Sequence, residues 1–197
     1  MDVKTITGWE NSDNHFTTVV PFKWILDNCV SGLVLEQTAA DIAAGKDIDE
    51  KLRSLALIRE DMQRPFHHTI GGRVTETPKL RNARGDLKRY LIDRFADSPE
   101  RTWGVLPNFV VVFESSLESE PVPTQIRGLT ENLSVYDFSS AGRAALADGE
   151  SRHLAVEEIR DDLSADLLLK DKLLEKRVTV DVYHGVDPKR LSDVFID

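Results

Sequence analysis

Cysteine is nearly absent from this chain: Cys29 stands alone. An internal disulfide and a zinc site built on cysteines are therefore excluded. No window approaches the run of about 18 apolar residues that a spanning helix needs, so no membrane partner is expected. Residues Met1–His15 lack both a basic start and an apolar stretch, so they do not read as a signal peptide. A cytoplasmic protein is the expectation. Phosphate-loop, dinucleotide-binding and Gly-x-Ser-x-Gly signatures are missing. The histidines match no metal-ligand spacing: His67 and His68 are adjacent and point apart on any regular element, so no metal site is expected. Net positive charge is lacking too. The formal charge of −9 repels nucleic acid on average, so any DNA contact requires a local basic patch.

What is present suits one folded domain over residues 1–197, long enough for one sizeable core. Loops are expected at Gly8–Asn14, Phe66–Pro78, Asp97–Arg101 and Glu114–Gly128, where polar, Gly and Pro residues gather. Strands are expected at Phe16–Val20, Val105–Phe113, Leu133–Phe138 and Val178–His184. In the last, Val178, Val180 and Val182 alternate with Thr179, Asp181 and Tyr183, the period of a half-buried strand. Phe109–Phe113 is continuously apolar, which suits a strand covered on both faces. Helices are expected at Asp49–Gln63, with Leu52, Leu55, Ile58 and Met62 on one stripe, and at Asp86–Phe95, with Leu87, Tyr90, Leu91 and Phe95. Arg152–Leu174 reads as one helix or two, with Ser164 as the cap of a second. Asp187-Pro188 reads as the cap and first residue of a last helix. Interspersed strands and helices make this a mixed α/β (α+β) domain, with a small mixed sheet flanked by helices.

The most informative stretch is Val135–Ile159. Asp148-Gly149 is a turn signal that breaks a helix-compatible alanine run, and a helix with a good apolar stripe follows. Free amides at such a helix start favour an anion, and Arg152 in the first turn adds donors suited to phosphate. Asp148 or Glu150 has three roles open to it: capping the helix, holding a metal, or orienting a water. Ordinary capping is the commoner use of a Asp-Gly turn, and both readings stand at this point.

Asp148-Gly149-Glu150-Ser151-Arg152 resembles the Asp-Gly-Gln-His-Arg signature of the DGQHR-domain family. That family includes the DndB proteins of bacterial DNA phosphorothioation systems. More distantly the stretch resembles the Gly-Glu-Arg-Arg box of ParB proteins and the Gly-Gly-Cys-His-Arg box of sulfiredoxins. Thr18–Leu26 resembles the family's opening strand and proline-led helix. Arg81–Arg84 with Arg89-Tyr90-Leu91, Val105–Val110, Val178–His184 and Ser192–Asp197 resemble later elements in order. In the family an asparagine follows soon after the last of these. This chain ends at Asp197, so a fragment of a longer protein is expected.

The resemblance implies a ParB/sulfiredoxin-like fold with a phosphate held by Gly149, Glu150, Ser151 and Arg152. It also implies a regulator that binds DNA in a DNA-modification or phage-defence locus, alongside other proteins of that operon or as a homo-oligomer. Two departures matter. Glu150 replaces glutamine, and Ser151 replaces histidine, which removes a proton carrier of neutral pH. His153 lies about 200° further round a helix and is a poor substitute. Position 150 holds no cysteine, so sulfiredoxin chemistry is excluded. One alternative is a nucleoside triphosphatase or nickase, with Asp148 and Glu150 managing a magnesium-bound nucleotide and a water. The other is a non-catalytic interaction scaffold.

DNA contact is expected at the basic stretch Arg73–Arg101. It carries eight Lys or Arg against five acids, a local charge of +3 on a chain of −9. Arg81, Arg84 and Lys88 share a face if the helix begins early, with Arg89 beside them. A solvated helix face is the commoner use of such a stretch.

Overall fold

A computed structural model describes residues 4–62, 67–95, 107–122, 132–162 and 167–185. The chain runs β1 (Thr5–Ser12), β2 (His15–Pro21), α1 (Phe22–Asn28), β3 (Cys29–Val30), α2 (Gly32–Ala43), α3 (Glu50–Met62), β4 (His67–Ile70), β5 (Arg73–Glu76), α4 (Pro78–Phe95), β6 (Phe109–Phe113), β7 (Glu118–Pro121), β8 (Leu133–Asp137), β9 (Ala144–Asp148), α5 (Glu150–Asp161), α6 (Leu167–Leu174) and β10 (Arg177–His184). Eight strands form one mixed sheet in the order β3-β9-β6-β10-β2-β1-β8-β7. β10 runs parallel to β6, and β3 parallel to β9, while the other pairs are antiparallel. The hairpin β4–β5 stands apart. The mixed α/β class is as expected, and the sheet is wider than the strands legible in the sequence.

Strand alternation decides where the core sits. Val178, Val180 and Val182 of β10 point to one face, with Phe16 and Val20 of β2 and Ile6 of β1. Phe22 and Ile25 of α1, Ala155, Val156 and Ile159 of α5, and Leu169 and Leu173 of α6 close over that face. Phe16 stacks on Tyr136 at 3.7 Å, and Phe22 meets Phe109 edge-on at 5.1 Å. Each such buried ring contributes about 2–3 kcal/mol. Gly8 sits under the Phe16 ring: a Cβ there would lie 2.2 Å from Phe16 Cδ2, so the strand must be bare at that point.

A second, smaller core lies on the opposite face. It joins Leu35 of α2 and Leu55 and Ile58 of α3 to Val112 of β6 and Ala145 and Ala147 of β9. β6 and β9 are therefore covered on both faces, as the run Phe109–Phe113 implies. The second layer stops short of β2. There the outer face carries a polar network, in which Thr17 donates to Asp181 at 2.6 Å and His15 stacks on Tyr183 at 4.3 Å. At one edge of the sheet, β7 exposes all four of its residues, and its two glutamates and Pro121 blunt it against pairing.

Several elements differ from expectation. The alanine run is a strand, β9, because helices on both sides bury its small side chains. Loops were expected where β1, β7 and the β4–β5 hairpin lie. In that hairpin Gly71 and Gly72 supply the two left-handed residues of a tight turn. α4 starts at Pro78 rather than Asp86, because Thr77 accepts from the Leu80 amide and Pro78 takes the first helical position. Arg152–Leu174 divides into two helices, α5 and α6. Ser164, the helix expected from Asp187, the element Ser192–Asp197 and the start of the strand expected from Val105 lie outside the described residues.

Cys29 is fully buried in the larger core, and burial pushes its thiol up to about 12, with Arg143 pulling weakly the other way. A maleimide is expected to leave Cys29 unlabelled in native buffer and to label it fully in urea. Native labelling at the unfolded rate would contradict this burial.

Candidate functional site

The expected turn is present between β9 and α5. Gly149 adopts φ +109, and a Cβ there would lie 2.3 Å from Phe109 Cδ1, so both dihedral and space demand glycine. The first in-register bond of α5 runs from the His153 amide to the Gly149 carbonyl at 2.9 Å. The amides of Ser151 and Arg152 come before it, at the positive end of the helix. The Gly149 amide donates to Asp148 Oδ1 at 2.7 Å. The Arg152 guanidinium lies over the Phe109 ring at 4.8 Å. Its Nη2 donates to the Asn108 carbonyl at 2.8 Å and to Asp148 Oδ2 at 3.3 Å. A hollow of about 160 Å³, lined by Leu80 and residues 147–152, opens beside the turn. Asp148, Gly149, Ser151 and Arg152 all line this hollow. Phe109 and Asn108, which pin the guanidinium, were legible only as part of the strand expected over Val105–Phe113.

Glu150 takes the capping role, but at a helix other than the one it opens. Its carboxylate reaches across to the start of α2, accepting from the Gly32 amide at 2.7 Å and the Leu33 amide at 3.0 Å. Ser31 Oγ accepts from Val34 at 3.4 Å, and the Leu35 amide begins the ladder by donating to the Ser31 carbonyl at 3.1 Å. Every amide of the first turn of α2 therefore has an acceptor, two of them supplied by Glu150. Both Glu150 oxygens accept within this cap, as both Asp148 oxygens accept from the Gly149 amide and Arg152. Among the described residues no group of three or more His, Cys, Asp or Glu is placed to hold a metal ion.

Ser151 is half-buried beside the hollow, whereas His153 is 3% exposed and faces the core. Neither ring nitrogen of His153 has a partner among the described residues. Burial, reinforced by the Arg143 and Arg160 guanidinium groups, pushes its pKa down to about 4. It is a neutral core side chain and carries no proton to the turn.

Two cations of the basic stretch, Arg84 and Lys88, are partly buried, and Arg73, Lys79, Arg81, Arg89 and Arg94 are exposed. Arg84, Lys88 and Arg81 do share one side of α4, since the helix begins early. But Arg84 makes a two-pronged pair with Glu76, at 3.0 and 3.1 Å, and also pairs with Glu158 of α5. Lys88 pairs with Glu158 at 2.7 Å and approaches Asp162 at 3.8 Å. These two cations link α4 to α5 through ion pairs with Glu158. Arg81 and Arg89 remain exposed. The acidic side of α5 neutralises the local excess of positive charge, which pattern alone does not reveal.

Among known proteins, no family model, no curated protein and no solved structure matches this chain.

Two outcomes are expected. Glu150→Ala should lower unfolding free energy by about 2–3 kcal/mol in urea titration, because two amides lose a charged acceptor. Glu150→Gln should lose less. An Ala variant as stable as the parent would remove the cap from the account. His153 has a folded pKa below its unfolded value near 6.5. Its contribution is therefore complete above about pH 6.5 and is lost as pH falls toward 4, on the order of 3 kcal/mol in all. Burial depresses His184 in the same direction. His153→Leu should flatten the stability profile across that window, and an unchanged slope would contradict it.

Proposed function

We propose that this protein is a non-catalytic regulator that holds a phosphate group of a nucleotide or of DNA at the Asp148–Arg152 turn. The observation that carries the reading is a glycine-only turn feeding a helix start, with a pinned guanidinium and an open hollow beside it. Ser151 and Arg152 supply amides in the first turn, and the helix dipole adds to their pull on an anion. The resemblance to the DGQHR-domain family supplies the biological setting, a DNA-modification or phage-defence locus. Strand, glycine turn and helix in that order are in keeping with the resemblance.

Catalysis is the weaker reading for two reasons. Both Glu150 oxygens serve the α2 cap, and among the described side chains no imidazole lines the hollow at the turn. A free nucleotide suits the site better than duplex DNA does. The hollow is small, the chain is strongly acidic, and Arg84 and Lys88 are held in ion pairs. Any DNA backbone contact would fall to Arg81 and Arg89.

Calorimetric titration with the four nucleoside triphosphates and magnesium, followed by a phosphate-release assay, tests this. Binding without release is expected, and Arg152→Ala should weaken it about tenfold. Release of phosphate would favour the triphosphatase. No binding of nucleotide, inorganic phosphate or DNA would leave the scaffold.

A further inference from the structure

α4 has two unlike sides. On one, Leu87 and Leu91 pack into the larger core, and Arg84 and Lys88 reach toward α5. The charges between the two helices are joined to one another. Arg84 pairs with Glu76 and Glu158, Lys88 with Glu158 and Asp162, and Arg160 with Glu157 and Asp161. The other side of α4 is exposed and carries Arg81, Asn82, Gly85, Asp86, Arg89 and Asp93. Arg81 and Arg89 form no ion pair among the described residues, although Asp86 and Asp93 lie about one turn to either side of Arg89.

Gly85 lies midway between the two arginines, four positions from each, so the three share a row on the helix surface. Nothing inside the chain calls for glycine there. Gly85 is not among the residues with positive φ, and a Cβ would meet nothing within 4 Å. Glycine is one of the least favourable residues in a helix interior, so the position weakens α4 with no packing reason among the described residues. Its neighbours one turn away are Arg81, Asn82, Lys88 and Arg89, none of them acidic. The outcome is a stretch of bare backbone between two uncommitted guanidinium groups, whose residues stand about 12 Å apart along the helix axis.

We infer that this face of α4 docks an acidic helix of a partner protein, which crosses at Gly85 and sets carboxylates on Arg81 and Arg89. Glycine at a crossing point lets two helix axes approach more closely than a side chain allows. The two cations select negative charge, and the pattern of signs selects its distribution. A uniform polyanion would lay charge against Asp86 and Asp93 as well, on a chain that is already −9. A helix places acids only where the arginines stand, and neutral or basic residues opposite the aspartates. The surface is independent of the turn at Asp148–Arg152, whose hollow is lined by Leu80 and not by the Arg81–Arg89 row.

Amide-resolved NMR titration of the whole chain at low salt tests the proposal. The probes are two capped, alanine-based helical peptides of about 20 residues and a short DNA duplex. One peptide carries glutamates two turns apart on one face, and the other carries lysines at the same positions. The glutamate peptide is expected to shift the amides of Arg81, Asn82, Gly85 and Arg89, and to bind about fivefold or more tightly than the lysine peptide. Arg81→Glu combined with Arg89→Glu should reverse that preference. Gly85→Leu should weaken the glutamate peptide about fivefold while the thermal midpoint stays level or rises, because leucine favours the helix. Equal shifts from the two peptides, no shift at those four amides, or indifference to Gly85→Leu would each overturn the proposal. Tighter binding of the DNA duplex at the same amides would also overturn it, in favour of a nucleic-acid partner.

Discussion

Two helices begin at the Glu150 carboxylate, and the arrangement of the sheet around β9 depends on it. α5 carries Glu150 in its first turn, while α2 lends it the amides of Gly32 and Leu33. α5 covers the larger core and α2 the smaller one on the opposite face. The contact therefore joins the two layers across the β3–β9 end of the sheet. Two helix starts facing each other would repel through their positive ends. One buried-edge carboxylate between them turns that repulsion into attraction and satisfies donors that would otherwise be orphaned.

The same constraint shapes the turn at Asp148–Arg152. The Glu150 carboxylate is directed toward α2, and Asp148, Ser151 and Arg152 are the other polar side chains lining the hollow by Leu80. Gly149 lies against the Phe109 ring, and Arg152 lies over it. Turn, guanidinium and β6 thus form one rigid unit, whose carboxylate Asp148 is 60% exposed. The His153 imidazole, four residues on from Gly149, is sealed in the core and turned away from this unit.

Charge shows how far pattern can mislead. The basic stretch looks like a nucleic-acid face when read alone. Folding lays it beside Glu157, Glu158, Asp161 and Asp162 of α5, and Arg84 and Lys88 become the fastening between two helices. Sequence separation hides this. Lys88 and Glu158 lie 70 residues apart, and only packing of α4 on α5 makes them neighbours. Pairs this exposed to water contribute modestly one at a time, so their value lies mainly in fixing the register of the two helices.

Local chemistry was enough to read the β10 alternation, the both-sided burial of Phe109–Phe113, the Asp49-led α3 and the turn at Asp148-Gly149. Each is written in side-chain period, apolarity or backbone freedom over a few residues, and those properties travel with the chain. Tertiary structure decided the rest. Ala144–Asp148 became a strand because layers on both faces bury its small side chains, although alanine prefers a helix in isolation. β1 and β7 exist because neighbouring strands supply their hydrogen bonds. Glu150 found its partners 117 and 118 residues away. A carboxylate's role depends on which donors folding brings to it, and no local pattern encodes which donors those will be.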